Sequence, residues 1–264
     1  VAPTPFRPAA LSIAGSDSSA GAGIAADLKT FAALGVYGCC AITAITAQNT
    51  LGVQAVEVLE PKLVGQQIGS LMEDLAVHAV KTGMLASAGI VHVVADEMQR
   101  KGIDKLVVDP VLVSSSGSPL LDEAGLAALK QRLLPLALVV TPNIPEAEAL
   151  LGKRITSTVE IMDAARAIRD MGARAVIIKG GHRTGSADDV LCDADGFRTF
   201  SGRRIDTVHT HGTGCAFSAA ITAGLARDLD LRQATALAKS YISAALGRAY
   251  AVGRGRSPVN HFPW

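Results

Sequence analysis

The chain reads as one α/β domain, a parallel sheet covered by helices on both faces. Three observations predict it. Strand-like and helix-like patterns alternate along nearly the whole sequence, as βα units require. Apolar residues make up 49% of the 264 but aromatic ones only 4%, so the core must be Ala, Val, Leu and Ile, which suit helices packed on a parallel sheet. No segment has the composition of a linker, a repeat or a low-complexity tract, and this length suits one large domain over residues 1–264.

The elements follow in order. Residues 1–8 are Pro-rich and predict a flexible start, without the basic-then-apolar pattern of a signal peptide. Ala10 to Ala14 predicts a short buried strand, Gly15 to Gly23 a small-residue loop, and Ile24 to Leu34 a helix ended by Gly35. Tyr37 to Thr46 is rich in β-branched residues and predicts a second strand, running into Ala47-Gln48-Asn49-Thr50. Val53 to Leu59 predicts another strand, and Pro61 opens a helix through Leu75, since proline suits a first helical position. The alternation continues with strand 78–81, helix 88–101, strand 105–109, helix 122–133 and strand 136–141. Helices near 145–151 and over 159–171 precede the apolar strand 174–179. Asp193-Ala-Asp-Gly196 sits between two short strands and predicts a hairpin. Helices over about 214–227 and 231–250 close the pattern.

Composition also excludes several functions. The net charge is +1 with no long basic or acidic run, so neither nucleic acid nor an anionic membrane is the expected partner. No apolar run approaches the roughly 18 residues that would span a bilayer. The four cysteines, Cys39, Cys40, Cys192 and Cys215, form no paired framework. Adjacent Cys39 and Cys40 would face opposite ways on a strand and cannot share a metal. A reduced, cytoplasmic protein is expected.

In parallel sheets, ligands bind beyond the carboxyl ends of the strands. Here the post-strand segments are Gly15-Ser-Asp17, Gln48-Asn49, Thr82-Gly-Met84, Asp109-Pro-Val111, Thr141-Pro-Asn-Ile-Pro-Glu146 and Lys179-Gly-Gly181. To these comes Thr207-Val-His-Thr-His-Gly-Thr-Gly-Cys215, which runs straight into a helix of small residues. The topology predicts that all of them meet at one edge. Gly212 and Gly214 permit a sharp turn or a close ligand, and a helix start offers free N–H groups and partial positive charge to phosphate. The same field would favour a thiolate on Cys215; a plain glycine turn with a buried cysteine is the alternative. Asp109 and Glu146 either hold Mg²⁺ through water, or serve as a loop cap and a charge at a helix start. Lys179 either neutralises phosphate oxygens or is an ordinary strand-end lysine. His209 and His211 would share a face if extended, but no third ligand has suitable spacing, so zinc is not expected.

Other motifs are missing. Gly21-x-Gly23 lacks the last glycine of a dinucleotide fingerprint, where Ala26 stands. There is no Gly-x-x-x-x-Gly-Lys-Ser/Thr and no Gly-x-Ser-x-Gly.

With those residues in view, the sequence resembles the bacterial hydroxymethylpyrimidine and phosphomethylpyrimidine kinases of thiamine biosynthesis, a branch of the ribokinase-like superfamily. The likeness rests on Ile13-Ala-Gly-Ser-Asp-Ser-Ser19, Gly21 to Ile24, Ala26 to Lys29, Thr43 to Thr50, Lys81-Thr-Gly-Met-Leu85, Asp109-Pro-Val111, Thr141 to Ala147, His211-Gly-Thr-Gly-Cys215 and Gly255 to Phe262. These span nearly the whole chain in order. The resemblance implies a three-layer αβα ribokinase-like fold with a mostly parallel sheet and no separate lid domain, commonly a homodimer. It implies Mg-ATP as phosphate donor, and two successive phosphorylations of 4-amino-5-hydroxymethyl-2-methylpyrimidine. By motif position it implies that Gln48 hydrogen-bonds the pyrimidine, with Gly15, Asp27, Met84 and Val111 around it. Gly212 and Gly214 would form an anion hole, Lys179, Thr207, Gly212 and Thr213 would lie along ATP, and Cys215 would act as base or hold the substrate hydroxyl. Most sugar kinases of the superfamily have aspartate where Cys215 stands. The sequence departs from the pattern at Ala20, Ala25, His209 and Ser257, and at Ser115, where many relatives carry lysine. Pyridoxal kinase is the nearest alternative, and a non-catalytic ligand-binding homologue a more distant one.

Overall fold

Strand β1 (Ala9–Ala14) is buried along its whole length, and its side chains alternate between two cores. Leu11 and Ile13 join one cluster, while Ala10 joins the other on the opposite face. That division runs through the whole sheet. The computed structural model describes residues 7–113, 119–181 and 187–264; the first six residues, Ser115 and His182 lie outside them. After β1 come α1 (Gly23–Ala33), β2 (Tyr37–Ile42), β3 (Ala44–Asn49), β4 (Gly52–Val58), α2 (Pro61–Asp74), β5 (Ala79–Thr82) and α3 (Ala88–Arg100). Then follow β6 (Leu106–Val108), α4 (Glu123–Ala128), β7 (Val139–Val140), α5 (Ile144–Leu151), α6 (Thr158–Arg169) and β8 (Ala175–Ile178). Strands β9 (Asp189–Asp193) and β10 (Gly196–Phe200) and helices α7 (Thr213–Ala226) and α8 (Leu231–Gly247) complete the chain.

Among the described residues the main sheet has eight strands, in the spatial order β2-β1-β5-β6-β7-β8-β9-β10. Pairing is parallel from β2 to β8, and the β9–β10 hairpin adds antiparallel strands at one edge. Side chains of α2 to α6, such as Val64, Ile90, Leu150 and Ile168, share one core. Phe31 of α1, Ile221 of α7 and Tyr241 of α8 belong to the other. The result is the three-layer αβα arrangement.

Helix α7 explains its own small residues. Every residue from Ala216 to Ala226 is buried, and a Cβ on Gly224 would stand 2.8 Å from that of Ala234 on α8. Larger side chains would force the two helices apart.

Three expectations need correction. The strand expected over Tyr37 to Thr46 breaks at Thr43. There the Thr43 N–H donates to Ala14 O and its hydroxyl to Met84 O at 2.6 Å, which ends β2 and turns the chain out of the sheet. Beyond the break β3 pairs with β4 in a separate two-stranded flap, so Gln48 stands on a flap strand, not in a loop. The helix expected over 122–133 is α-helical only to Ala128, then passes through wider and tighter turns up to Pro135, a residue that cannot donate to a continuing helix. The strand expected over 136–141 shrinks to β7, because Leu134 to Leu136 remain in that tight turn.

Candidate active site

The end expected to receive phosphate is built by backbone. Gly212 has φ +75 and begins α7 without a side-chain cap. A Cβ there would lie 1.8 Å from Gly21 O, so only glycine fits both the left-handed conformation and the contact. A Cβ on Gly214 would lie 3.2 Å from Lys179 Nζ, which places the lysine head at the helix start. Amide dipoles and an ammonium thus address one space, the arrangement that receives phosphate.

Two carboxylates share that ammonium. Asp109, just past β6, accepts from Lys179 Nζ at 2.8 Å, from the Thr141 hydroxyl at 3.2 Å and from the Ser218 hydroxyl at 3.0 Å. Burial alone would raise its pKa, but the Lys179 and Lys81 charges and these hydrogen bonds hold it below the usual carboxylate range. Glu146 lies 3.8 Å from Lys179 Nζ, and its side chain is fixed by a capping box with Asn143. Burial pushes Glu146 up to about 7, against the pull of Lys179 and with added repulsion from Asp109. Burial would lower the Lys179 pKa, but the two carboxylates overcome it and raise it. One lysine faces two buried acids, and burial with added repulsion from Asp109 leaves Glu146 the raised one. The donor set fits a hard divalent cation that keeps most of its waters; no cluster of three or more His, Cys, Asp or Glu occurs among the described residues.

The acceptor side lies across the Gly21–Gly212 contact. A Cβ on Gly15 would stand 3.0 Å from Met84 Sδ, which brings the half-buried thioether beside the loop. Such a group packs well on an aromatic ring. Cys215 lies in the first turn of α7 and accepts the Gly23 N–H on sulfur. Burial pushes its thiol up to about 11; Lys81 pulls down, while Asp27 and Asp109 push up. The expectation of a helix-favoured thiolate is not met: burial and two nearby acids hold the thiol up.

The remaining expected residues separate. Asp27 is sealed beneath the site, accepting from Ser12 Oγ at 2.5 Å and Lys81 Nζ at 2.7 Å, with no exposed surface to offer a substrate. Val111 is half-buried and its N–H turns back to Asp109 O. Thr207 accepts the His209 N–H at 3.2 Å. His211 is not half of a metal pair with His209. Its Nε2 lies 2.7 Å from Asp17 Oδ2 and 3.4 Å from the Gln48 amide nitrogen. Sequence reasoning gave no role to Lys81, although a lysine ending a fully buried strand requires a partner.

The phosphomethylpyrimidine kinase family model matches residues 17–260. The chain belongs to that family. A hydroxymethylpyrimidine/phosphomethylpyrimidine kinase of Rhizobium meliloti is 50% identical over 96% of both chains. A phosphomethylpyrimidine kinase structure from Clostridium difficile superposes with a TM-score of 0.82 at 42% identity, over 91% of this chain and all of that one. A pyridoxal kinase of Bacillus subtilis, solved as an ADP complex, gives 0.91 at 37% identity, over 97% of this chain and 98% of that one. Of these two structures, the phosphomethylpyrimidine kinase shares more sequence and the pyridoxal kinase more backbone shape. Fold alone does not choose the ring; side chains around it must.

Proposed function

We propose that the chain phosphorylates 4-amino-5-hydroxymethyl-2-methylpyrimidine and then its monophosphate, with ATP as donor, in thiamine biosynthesis. Membership in the phosphomethylpyrimidine kinase family supports the chemistry. The observation that carries the reading is the meeting of the Gly212–Gly214 helix start with Lys179, Asp109 and Glu146, with Gly15 beside Met84 and Gln48 on the flap strand.

In this reading ATP lies along Lys179, Thr207, Gly212 and Thr213, with its γ-phosphoryl group at the start of α7. Gln48 takes the ring edge, and Gly15, Met84 and Val111 surround it. The hydroxymethyl oxygen bonds to the γ-phosphorus, the bond to the bridging oxygen of ADP breaks, and the hydroxyl proton must leave. Gly212 and Gly214 hold the charge spread over the transferring group, which is the main demand of phosphoryl transfer. Cys215, a thiol at neutral pH, holds the hydroxyl by a hydrogen bond and takes the proton only as the phosphoryl group arrives. Asp109 and Glu146 would hold Mg²⁺ through water, and that ion would supply charge neutralisation on the phosphates. In the second step the acceptor is already a phosphate anion, so little proton removal is needed.

Pyridoxal kinase remains the second reading, favoured by the backbone match to the Bacillus subtilis enzyme. A binder without catalysis would have no use for the Asp109, Glu146 and Lys179 cluster. We further place the protein in the cytoplasm, on its free cysteines; no helix of the described residues is long and apolar enough to cross a membrane. A homodimer is supported by exposed Ile45, Val56 and Val58 on the flap, and sedimentation would test it. The deciding experiment incubates the protein with Mg-ATP and the hydroxymethylpyrimidine and follows products by mass. Monophosphate followed by diphosphate is expected; no product, with pyridoxal phosphorylated instead, overturns the reading in favour of the second.

A further inference from the structure

Asp17 and His211 come from distant parts of the chain, and the mechanism above uses neither. Asp17 is buried in the loop after β1. Its Oδ1 accepts from the Ser19 N–H at 2.9 Å and the Ser19 hydroxyl at 2.7 Å. Its Oδ2 accepts from the N–H groups of Gly21 at 3.2 Å and Ala22 at 2.9 Å. Burial opposes ionisation of Asp17, but His211 and the Ser19 donors prevail and hold its pKa below the usual value. An ionised carboxylate only accepts, so the 2.7 Å contact with His211 requires a proton on Nε2.

That proton constrains Gln48. The Gln48 amide nitrogen lies 3.4 Å from the same His211 nitrogen, and two N–H donors cannot bond each other. The other end of the amide has a matching difficulty. Gln48 Oε1 lies 3.3 Å from Thr46 Oγ1, but the single Thr46 proton is better placed toward Ser16 O at 2.9 Å. Turning the amide over resolves both ends at once. Oε1 then faces the His211 N–H, whose one proton goes chiefly to Asp17 at 2.7 Å, so that the 3.4 Å contact is the weak branch of a shared bond in place of a clash of two donors, and the amide nitrogen donates to Thr46 Oγ1. One lone pair and one N–H remain on the outer side of the amide, in a fixed order.

We propose that His211, held by Asp17, is a positioning and specificity-determining residue that fixes the orientation of the Gln48 amide. The fixed acceptor–donor order matches a ring carrying an exocyclic amine beside a ring nitrogen, and a hydroxypyridine lacks that pair. The ring's identity rests on the substrate reading above; the link between His211 and Gln48 does not.

The test is steady-state phosphorylation of the aminopyrimidine and of pyridoxal by the full chain and its His211→Phe, His211→Gln, Gln48→Ala and His211→Phe/Gln48→Ala variants. Loss of the weak branch of a shared hydrogen bond predicts a rise in KM for the aminopyrimidine of about threefold in His211→Phe, with a smaller fall in kcat. Preference for the aminopyrimidine over pyridoxal should fall by a similar factor. His211→Gln, which keeps an N–H near Asp17, should recover most of it. Gln48→Ala should lose as much as His211→Phe, and the double variant little more. Additive losses, or a kcat collapse with ring preference intact, would overturn the proposal. Should His211→Phe not fold, Asp17→Asn carries the same prediction for ring preference. If the wild type prefers pyridoxal, the substrate reading fails, and the double-variant cycle run on the aminopyrimidine as the poorer substrate still decides this one.

Discussion

Two buried lysines face carboxylates in this molecule, and their surroundings differ in one respect. Lys81 forms its ion pair with Asp27, both fully buried, and its charge also reaches Asp109. The charges match one to one, and Ser12 supplies a further hydrogen bond. Lys179 instead meets both Asp109 and Glu146, at the edge of the site. The first arrangement is closed and balanced, the second open and one negative charge in excess. A balanced buried pair fixes structure and is costly to break. An unbalanced one is an invitation to a cation and to phosphate-bound metal. The same residue types thus serve as a floor in one place and as a working surface in the other, with β6 and β7 between their strands.

The sharpest way to break the comparison is to remove each lysine in turn. Lys81→Met leaves Asp27 sealed from water without its cation, where burial already raises its pKa, and should cost about 3–5 kcal/mol of stability. Denaturant unfolding measures it, and Lys81→Met/Asp27→Leu should restore much of the loss. Lys179→Met should cost far less stability, because Glu146, already pushed up to about 7, can take up a proton. Its loss should appear in turnover instead, about 10²–10³-fold in kcat, as for removal of one donor aimed at transition-state charge. If the two variants lose stability equally, the distinction between floor and working surface is wrong.

Cys215 sits between the two regions and feels both. It is attracted by Lys81 and repelled by Asp27 and Asp109. Cys215→Ala should slow the first phosphorylation by about 10²-fold, the low end for loss of a general base, and the second by much less. Equal slowing in both steps would make it a positioning group only. The thiol itself can be titrated by the pH dependence of its alkylation, with a midpoint expected well above the ordinary cysteine value.

The contrast also shows what a sequence displays and what it hides. Alternating patterns revealed the layers because strands such as β1 and β8 are continuous apolar runs whose burial does not depend on distant detail. Asp109, Glu146 and Lys179 were legible as a group because each follows or ends a strand, and the fold brings strand ends together. The flap was not legible. The run from Tyr37 to Thr46 has no break in its pattern, and what ends β2 is a hydrogen bond from Thr43 to Met84, 41 residues away. The choice of partner for Lys81 was hidden for the same reason, since Asp27 is 54 residues distant. Asp27 itself looked like a ligand-facing residue by motif position, and only packing of α1 on the sheet shows it sealed. Helix-start electrostatics for Cys215 pointed the wrong way because a sequence records the dipole but not the depth of burial.

The smallest effect expected is also the most diagnostic of the open site. Glu146 titrates at about 7 when folded and near 4.3 when unfolded. The unfolded chain therefore gives up this proton first. Stability from the protonated group is complete below about pH 4 and is lost as pH rises toward and through 7. Glu146→Gln removes the titration, so its stability should lose that part of the slope between pH 5 and 8. At pH 8 the metal-free variant should be more stable than the parent by at least about 1 kcal/mol, less than the full pKa difference because Lys179 loses a neighbour. Added Mg²⁺ should flatten the parent's slope and leave the variant's nearly unchanged, since a bound cation does for Glu146 what protonation does. A parent stability that is flat over this range without Mg²⁺ would mean that Lys179 alone balances both acids, and the open site would then be as closed as the pair beneath it.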